Sequence, residues 1–173
     1  MARWIAPLLA ISVIGCSSGT AIPNNEKHPI QTASVHLRGG PFTAGFSGTF
    51  IGQNCVANKQ YGRFTFSGTG SGKFFGNASE SGDMRATPYI KIPPCPWTGS
   101  ATLVSKSHPN NSITVSLTGA QFANRNWPPC TIPPKWVVIG GSGKFSFASG
   151  SGTVAFRCGN GTYTSAWKGT LTF

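Results

Sequence analysis

Apolar and polar residues alternate through most of the chain after residue 33, and short turns rich in glycine, serine and asparagine interrupt the alternation. A period of two is typical of β-strands that bury one face. No window after residue 20 keeps a helical period. The pattern predicts an all-β domain of about 8–10 short antiparallel strands. The clearest apolar sets are Phe46 with Phe50, Phe64 with Phe66, the run Ile113, Val115, Leu117, and Tyr163 with Trp167, Leu171 and Phe173.

The stretch 137–158 shows this organisation most fully, as VVIGGSGKFSFASGSGTVAFRC. An apolar strand leads into a Gly-Gly-Ser-Gly turn, and a short strand is predicted over 144–147. A second glycine-serine turn then precedes a strand with Val154 and Phe156 on one face. The His-Pro-Asn-Asn sequence at 108–111 is another strong turn signal. These elements predict strands that follow one another as hairpins.

Two segments of the chain occur twice in the same order. Ser-Gly-Lys-Phe at 71–74 recurs at 142–145, an offset of 71, and Trp-x-Gly-[Ser/Thr] at 97–100 recurs at 167–170, an offset of 70. We therefore predict two similar halves of about 70 residues, roughly 42–107 and 113–173. The matched tryptophans, Trp97 and Trp167, are predicted core residues.

The segment 137–155 also resembles a known family. Its Gly-Gly-Ser-Gly-Lys-Phe at 140–145 is similar to the Gly-Gly-[Ser/Thr]-Gly-x-Phe turn of dirigent and allene oxide cyclase proteins. The resemblance implies a closed β-barrel and, as a rival function, a small-molecule cyclase or isomerase. A two-sheet sandwich would bury the same faces and stays open. The chain departs from the family in having almost none of the acidic residues that dirigent proteins place in their pockets.

The first fifteen residues form a predicted signal peptide. Arg3 precedes an apolar run over 4–15, which is shorter than the roughly 20 residues that a membrane-spanning helix needs. Val-Ile-Gly-Cys at 13–16 resembles the lipobox of bacterial lipoproteins. This resemblance implies lipidation of Cys16 and an outer-membrane location. Cleavage after Ala21, giving a secreted or periplasmic protein, is the alternative.

Polar, proline-containing sequence over 16–33 predicts a flexible tether ahead of a single domain over 34–173. Once Cys16 is set aside, four of the five cysteines remain in an oxidising compartment, which predicts two disulfides. A zinc site fits poorly because no pair has C-x₂₋₄-C spacing and no histidine lies nearby. We therefore expect no metal or cofactor, and among the three possible pairings we favour Cys55–Cys95 and Cys130–Cys158.

Positive charge dominates, with Lys+Arg 14 against Asp+Glu 3 and a formal net charge of +11. Such a field attracts anionic partners, which outside the cytoplasm include acidic polysaccharide and lipid headgroups. The lysines are scattered, so a role in solubility alone stays open. The chain has no basic-aromatic strip or recognised nucleic-acid motif, which argues against a nucleic-acid partner.

Groups capable of catalysis are scarce. Glu80 and Asp83 are the two acids of the domain, and the sequence places them across a predicted Ser-Gly turn at 81–82. They are weak catalytic candidates, and a solvated turn pair is the competing interpretation. No Gly-x-Ser-x-Gly, phosphate loop or His-Glu-x-x-His occurs. The inventory favours a binding module over an enzyme.

Aromatic and basic residues near the proline-rich loops supply the binding candidates. Trp127 and Trp136 flank the loop at 127–134 and could stack on sugar rings, with Arg125 and Lys135 beside them to hold an anion. The resulting hypothesis is an exported, lipid-anchored domain of the cell envelope that binds a small apolar ligand or supports the envelope. Its rivals are the barrel-type cyclase or isomerase and a binder of acidic envelope polysaccharide.

Overall fold

Eight antiparallel strands close into a barrel in a computed structural model that describes residues 38–53, 62–86, 95–121 and 133–173. Each strand pairs with its neighbour in sequence, and β8 pairs with β1 to complete the closure. The predicted barrel is confirmed, and the sandwich alternative is wrong. Strands β1 to β8 are, in order, Gly39–Gln53, Gly62–Gly72, Gly76–Ala86, Cys95–Ser105, Ser112–Gln121, Lys135–Ser142, Ser149–Gly159 and Thr162–Thr172.

The period-two pattern sorts side chains between the barrel interior and the solvent. On β2, Phe64 and Phe66 are buried while Arg63 is exposed. Inward positions on the other strands also carry large apolar groups, so the interior described here is a packed core. The largest fully buried side chains are Trp97, Trp136, Trp167, Phe42, Phe64, Phe145, Phe156, Met84, Leu103, Ile113, Leu117 and Leu171.

Inward-facing glycines make room for these rings. A Cβ atom added at Gly82 would collide with the ring of Phe66, and one added at Gly68 would lie 2.6 Å from Tyr163 Oη. Small residues opposite large ones allow eight strands to enclose so many aromatic groups.

The barrel has two different ends. One end, which we call the turn end, comprises the connections 73–75, 106–111 and 143–148 together with Arg38 and Phe173. Arg38 and Phe173 exchange backbone hydrogen bonds of 2.7 and 2.6 Å there. The opposite loop end carries the β7–β8 turn and the β1–β2, β3–β4 and β5–β6 connections, which fall mostly outside the described residues.

Aromatic side chains close the turn end from inside. Phe75 and Phe145 stack with ring centroids 4.5 Å apart, and Phe145 meets Phe173 edge-on at 4.7 Å. The two Ser-Gly-Lys-Phe segments meet at this end, because Lys144 of the second donates a hydrogen bond to the Phe74 carbonyl of the first.

The Trp-x-Gly-[Ser/Thr] segments occupy equivalent positions in the two sets of four strands, whereas the aligned Phe74 and Phe145 differ because Phe74 is only partly buried. Trp97 on β4 and Trp167 on β8 are both buried, as predicted. The glycine two residues after each tryptophan, Gly99 or Gly169, packs so closely on the backbone of the preceding strand that neither has room for a side chain. The two tryptophan-glycine segments thus have matching surroundings, and the two halves with their bounds stay a prediction.

The predicted strand over 144–147 is wrong. Strand β6 continues to Ser142 and is followed by a 3₁₀ turn, Gly143–Phe145. Gly143 adopts φ +59°, which favours glycine, and Asn111 Oδ1 accepts a 3.0 Å hydrogen bond from the Lys144 N–H. Phe145 therefore enters the core while Phe147 is 87% exposed, so the two rings do not share a face.

No helix within the described ranges is long and apolar enough to cross a membrane.

Candidate functional site

Four basic side chains surround the turn end: Arg38, Lys73, Lys106 and Lys144 are all exposed. Arg38 directly precedes β1, and the three lysines lie in the β2–β3, β4–β5 and β6–β7 connections. The four charges are therefore distributed around the barrel rim. No aspartate or glutamate of the described residues lies at this end. The surface has an unbalanced positive charge that suits an anionic partner.

The two repeated lysines lie over aromatic rings. Lys144 Nζ donates a 2.6 Å hydrogen bond to the Phe74 carbonyl and lies 4.9 Å from the Phe145 centroid. Lys73 Nζ lies 5.2 Å from the Phe74 centroid. Cation–π attraction of about 0.5–1 kcal/mol at exposed sites helps to position such ammonium groups. The turns therefore hold charge and apolar surface together.

Phe147 projects from the β6–β7 connection, which also carries Lys144. Ser146 Oγ donates a 2.7 Å hydrogen bond to the Gly143 carbonyl, and the Ala148 N–H donates one of 2.9 Å to the Phe145 carbonyl. Because Phe145 is anchored in the core, the exposed ring of Phe147 is presented on an ordered turn. The turn end thus combines cations with a protruding aromatic side chain.

A second polar region, the carboxyl cluster, lies inside the barrel and comprises Glu80, Tyr163, Ser165 and Trp167. Glu80 is 1% exposed. Its carboxylate accepts a 2.6 Å hydrogen bond from Ser165 Oγ and a 2.8 Å hydrogen bond from Trp167 Nε1. Tyr163 Oη is buried without a hydrogen-bond partner of good geometry among the described residues.

Burial controls the ionisation of this cluster. Loss of hydration raises the pKa of Glu80, and this effect exceeds the opposing influence of hydrogen bonds from Ser165 and Trp167 and of the nearby phenol. Burial and the neighbouring carboxylate also raise the pKa of Tyr163. The cluster could hold a proton in the barrel interior, but packed side chains surround it.

Glu80 and Asp83 do not form the predicted turn pair. Both lie on β3, Gly76–Ala86, where alternation directs Glu80 inward and leaves Asp83 outside. Asp83 pairs with Arg63 at 3.1 Å and with Arg85 at 3.5 Å. The sequence Ser-Glu-Ser-Gly-Asp has the composition of a turn. In the barrel wall, however, a small residue such as Gly82 leaves space for the ring of Phe66 on the neighbouring strand.

Trp136, predicted as an exposed ligand contact, is a core residue. It is fully buried, its Nε1 donates to the carbonyls of Thr153 and Lys168 at 3.1 and 3.2 Å, and its ring meets Phe42 at 5.7 Å. That prediction is wrong because the strand that follows the proline loop points this side chain inward. Lys135 is exposed at the start of β6.

The remaining candidate residues, Arg125 and Trp127, lie outside the described residues, as does Cys16.

Cys158 is disulfide-bonded and partly buried at the loop end of β7. The side chains of the other cysteines fall outside the described part, so the pairings Cys55–Cys95 and Cys130–Cys158 stay predictions. Across the described strands and turns, no group of three or more His, Cys, Asp or Glu side chains could hold a metal ion.

The sequence did not predict the turn end as a binding surface. The repeated Ser-Gly-Lys-Phe gave one indication of it, because each copy contributes a lysine. The register that brings the two copies to the same end of a barrel could not be deduced from the repeat alone.

Comparison with known proteins supports the fold. No protein-family model and no curated protein matches the chain. The solved pterocarpan synthase dirigent protein GePTS1 is similar at a TM-score of 0.51 and 10% identity, covering 79% of this chain and 90% of its own. The dirigent-like resemblance is thereby supported for the barrel architecture.

Two other solved structures are similar at lower scores. A protein of unknown function from the DUF3224 family of Shewanella oneidensis MR-1 has a TM-score of 0.47 and 18% identity, covering 76% of this chain and 97% of its own. The dirigent protein PsPTS1 has a TM-score of 0.48 and 11% identity, covering 79% and 95%.

Proposed function

We propose that this protein is exported, is anchored through a lipid on Cys16, and serves the cell envelope as a binding module whose turn end holds an anionic partner. The observation that carries the proposal is the set of exposed cations on four separate chain segments, with no described acid beside them. The packed interior also favours a ligand on the outside of the barrel.

Retention on immobilised heparin, used as a generic polyanion, tests the binding surface. The double variant Lys73→Gln/Lys106→Gln removes two turn-end charges that make no side-chain hydrogen bond among those described. Its control, Arg85→Gln/Arg157→Gln, removes two exposed charges nearer the loop end.

If the turn end binds polyanions, the first variant elutes at clearly lower salt and loses about two units of slope in log K against log salt. The control keeps its slope within about half a unit. Equal losses from both pairs would mean that net charge alone acts, and the proposal would fail.

Palmitate labelling in a Gram-negative host tests whether the protein is exported and anchored through a lipid. The wild-type chain should acquire label and sediment with the outer membrane, while Cys16→Ala should not be labelled. An unlabelled wild-type protein cleaved after Ala21 would contradict the lipid anchor.

A barrel-type cyclase or isomerase is the second candidate, and the carboxyl cluster is the observation that favours it. A carboxyl group with a raised pKa beside a phenol can act as a general acid or base. Any activity found with a candidate substrate should fall at least about 100-fold in Glu80→Gln. An activity that survives this change would exclude the cluster as its source.

A further inference from the structure

The partner of the turn end can be specified further from the position at which the polypeptide enters the barrel. Residues 1–37 precede Arg38, which begins the described chain at the turn end and is hydrogen-bonded to Phe173. We propose, on the basis of the function proposed above, that the turn end docks on the anionic lipid headgroups of the membrane that holds the anchor.

Chain length limits how far the barrel can lie from that membrane. The 21 residues 17–37 lie between Cys16 and Arg38. A fully extended segment of this length reaches no more than about 75 Å, and any less extended one brings the barrel closer. Because the connection joins the barrel at the turn end, an anchor on Cys16 concentrates this surface near the headgroups.

The arrangement of the cations suits a plane better than a groove. Lys73, Lys106 and Lys144 come from three consecutive connections around the rim, and Arg38 completes the set next to β8. A flat anionic surface that faces this end approaches charges from four separate chain segments. A single polysaccharide strand would need successive contacts along one track.

Phe147 adds the apolar contact typical of proteins that bind membrane interfaces. Its ring is 87% exposed and lies in the same connection as Lys144. Exposed aromatic rings next to cations insert at headgroup level while the charges attract anionic lipid. A basic surface adds electrostatic attraction to anionic headgroups on top of the attachment that the lipid provides.

Vesicle partitioning tests this inference. The full chain carries Cys16→Ser in every sample, so that no acyl chain is added and the leader contributes equally throughout. Each variant is measured on mixed phosphatidylglycerol–phosphatidylcholine vesicles and on pure phosphatidylcholine vesicles, and the ratio of partition coefficients is compared. Each Lys or Arg near an anionic surface strengthens binding about fivefold.

We expect Lys73→Gln/Lys106→Gln to reduce the ratio about 25-fold. The control pair Arg85→Gln/Arg157→Gln lies about 20 Å from the turn end along the barrel wall and should reduce the ratio less than about threefold, because salt screens charges beyond about 10 Å.

Phe147→Ser should weaken binding to the mixed vesicles about fivefold. Its control, Ile51→Ser, replaces a similarly exposed apolar residue nearer the loop end and should change little.

The outcomes separate the two proposals. Turn-end dependence on heparin without turn-end dependence on vesicles would overturn the membrane partner and favour a soluble acidic polysaccharide, leaving the proposed binding surface intact. Equal effects of both charge pairs on both probes would overturn both proposals.

Discussion

The carboxyl cluster and the turn end both gather polar groups, but they differ in what surrounds those groups. Glu80 lies in the packed interior, and its two carboxyl oxygens accept hydrogen bonds from Ser165 and Trp167. Lys73 and Lys106 face solvent with no described acid nearby. We conclude that removing the Glu80 carboxyl group should mainly change stability, whereas removing the charges of Lys73 and Lys106 should mainly change binding.

Removing the buried carboxyl group should have the largest effect on stability. Glu80→Ala leaves the Ser165 hydroxyl without its acceptor and leaves the Trp167 N–H with only its 3.2 Å hydrogen bond to Ser165 Oγ. It also opens a cavity, so the free energy of unfolding should fall by about 3 kcal/mol. Urea denaturation measures this. The control Asp83→Ala loses exposed ion pairs and should lose less than about 1 kcal/mol. Equal losses would refute the contrast between the two faces of β3.

The pH dependence of stability should also come from the cluster. Because burial raises the pKa of Glu80, the folded state holds its proton more tightly than the unfolded state. The free energy of unfolding is then highest below the unfolded pKa. It falls as pH rises towards the folded pKa, by at most about 1.4 kcal/mol per pH unit from this one group.

Glu80→Gln should remove that slope. Denaturation of wild type and variant across the acidic range gives the difference directly. A difference in stability that does not change with pH would contradict the raised pKa.

A smaller stability effect is expected at the turn end. Lys144→Gln loses the hydrogen bond to the Phe74 carbonyl and the contact with the Phe145 ring, so unfolding should become easier by less than about 1 kcal/mol. Thermal denaturation measures the change. A loss as large as that of Glu80→Ala would mean that Lys144 contributes as much to the stability of the fold as the buried carboxyl group does.

The smallest effect should come from Tyr163→Phe. The hydroxyl is buried without a well-formed hydrogen bond, so its removal should change the free energy of unfolding by less than about 1 kcal/mol in either direction. A loss above about 2 kcal/mol, measured in urea, would show that the phenol supports Glu80 by a full hydrogen bond.

The sequence predicted the barrel wall better than its ends. Alternation identified the inward faces of Phe64 and Ile113 because a strand's period is local. Glu80 was misplaced because serine and glycine occur both in turns and at positions that must accommodate a ring from another strand. Gly82 lies inward against Phe66, a contact between two strands that no local pattern reveals.

The same limit explains the misplacement of the binding surface. Trp136 next to a proline-rich loop suggested an exposed contact, yet β6 directs it into the core. The turn end depends on a register that joins residues about seventy positions apart, as in the contact between Lys144 and Phe74. Barrel closure decides which turns share an end, and this is a property of the whole fold.

An amide and indole NMR titration with heparin tests the central claim most directly, because it observes the surface and the interior in one experiment. We expect the amide signals of 73–75, 106–111 and 143–148 to shift while the indole N–H signals of Trp136 and Trp167 stay in place. Shifts confined to those indoles, with the turn amides unmoved, would place the ligand inside the barrel and contradict the account.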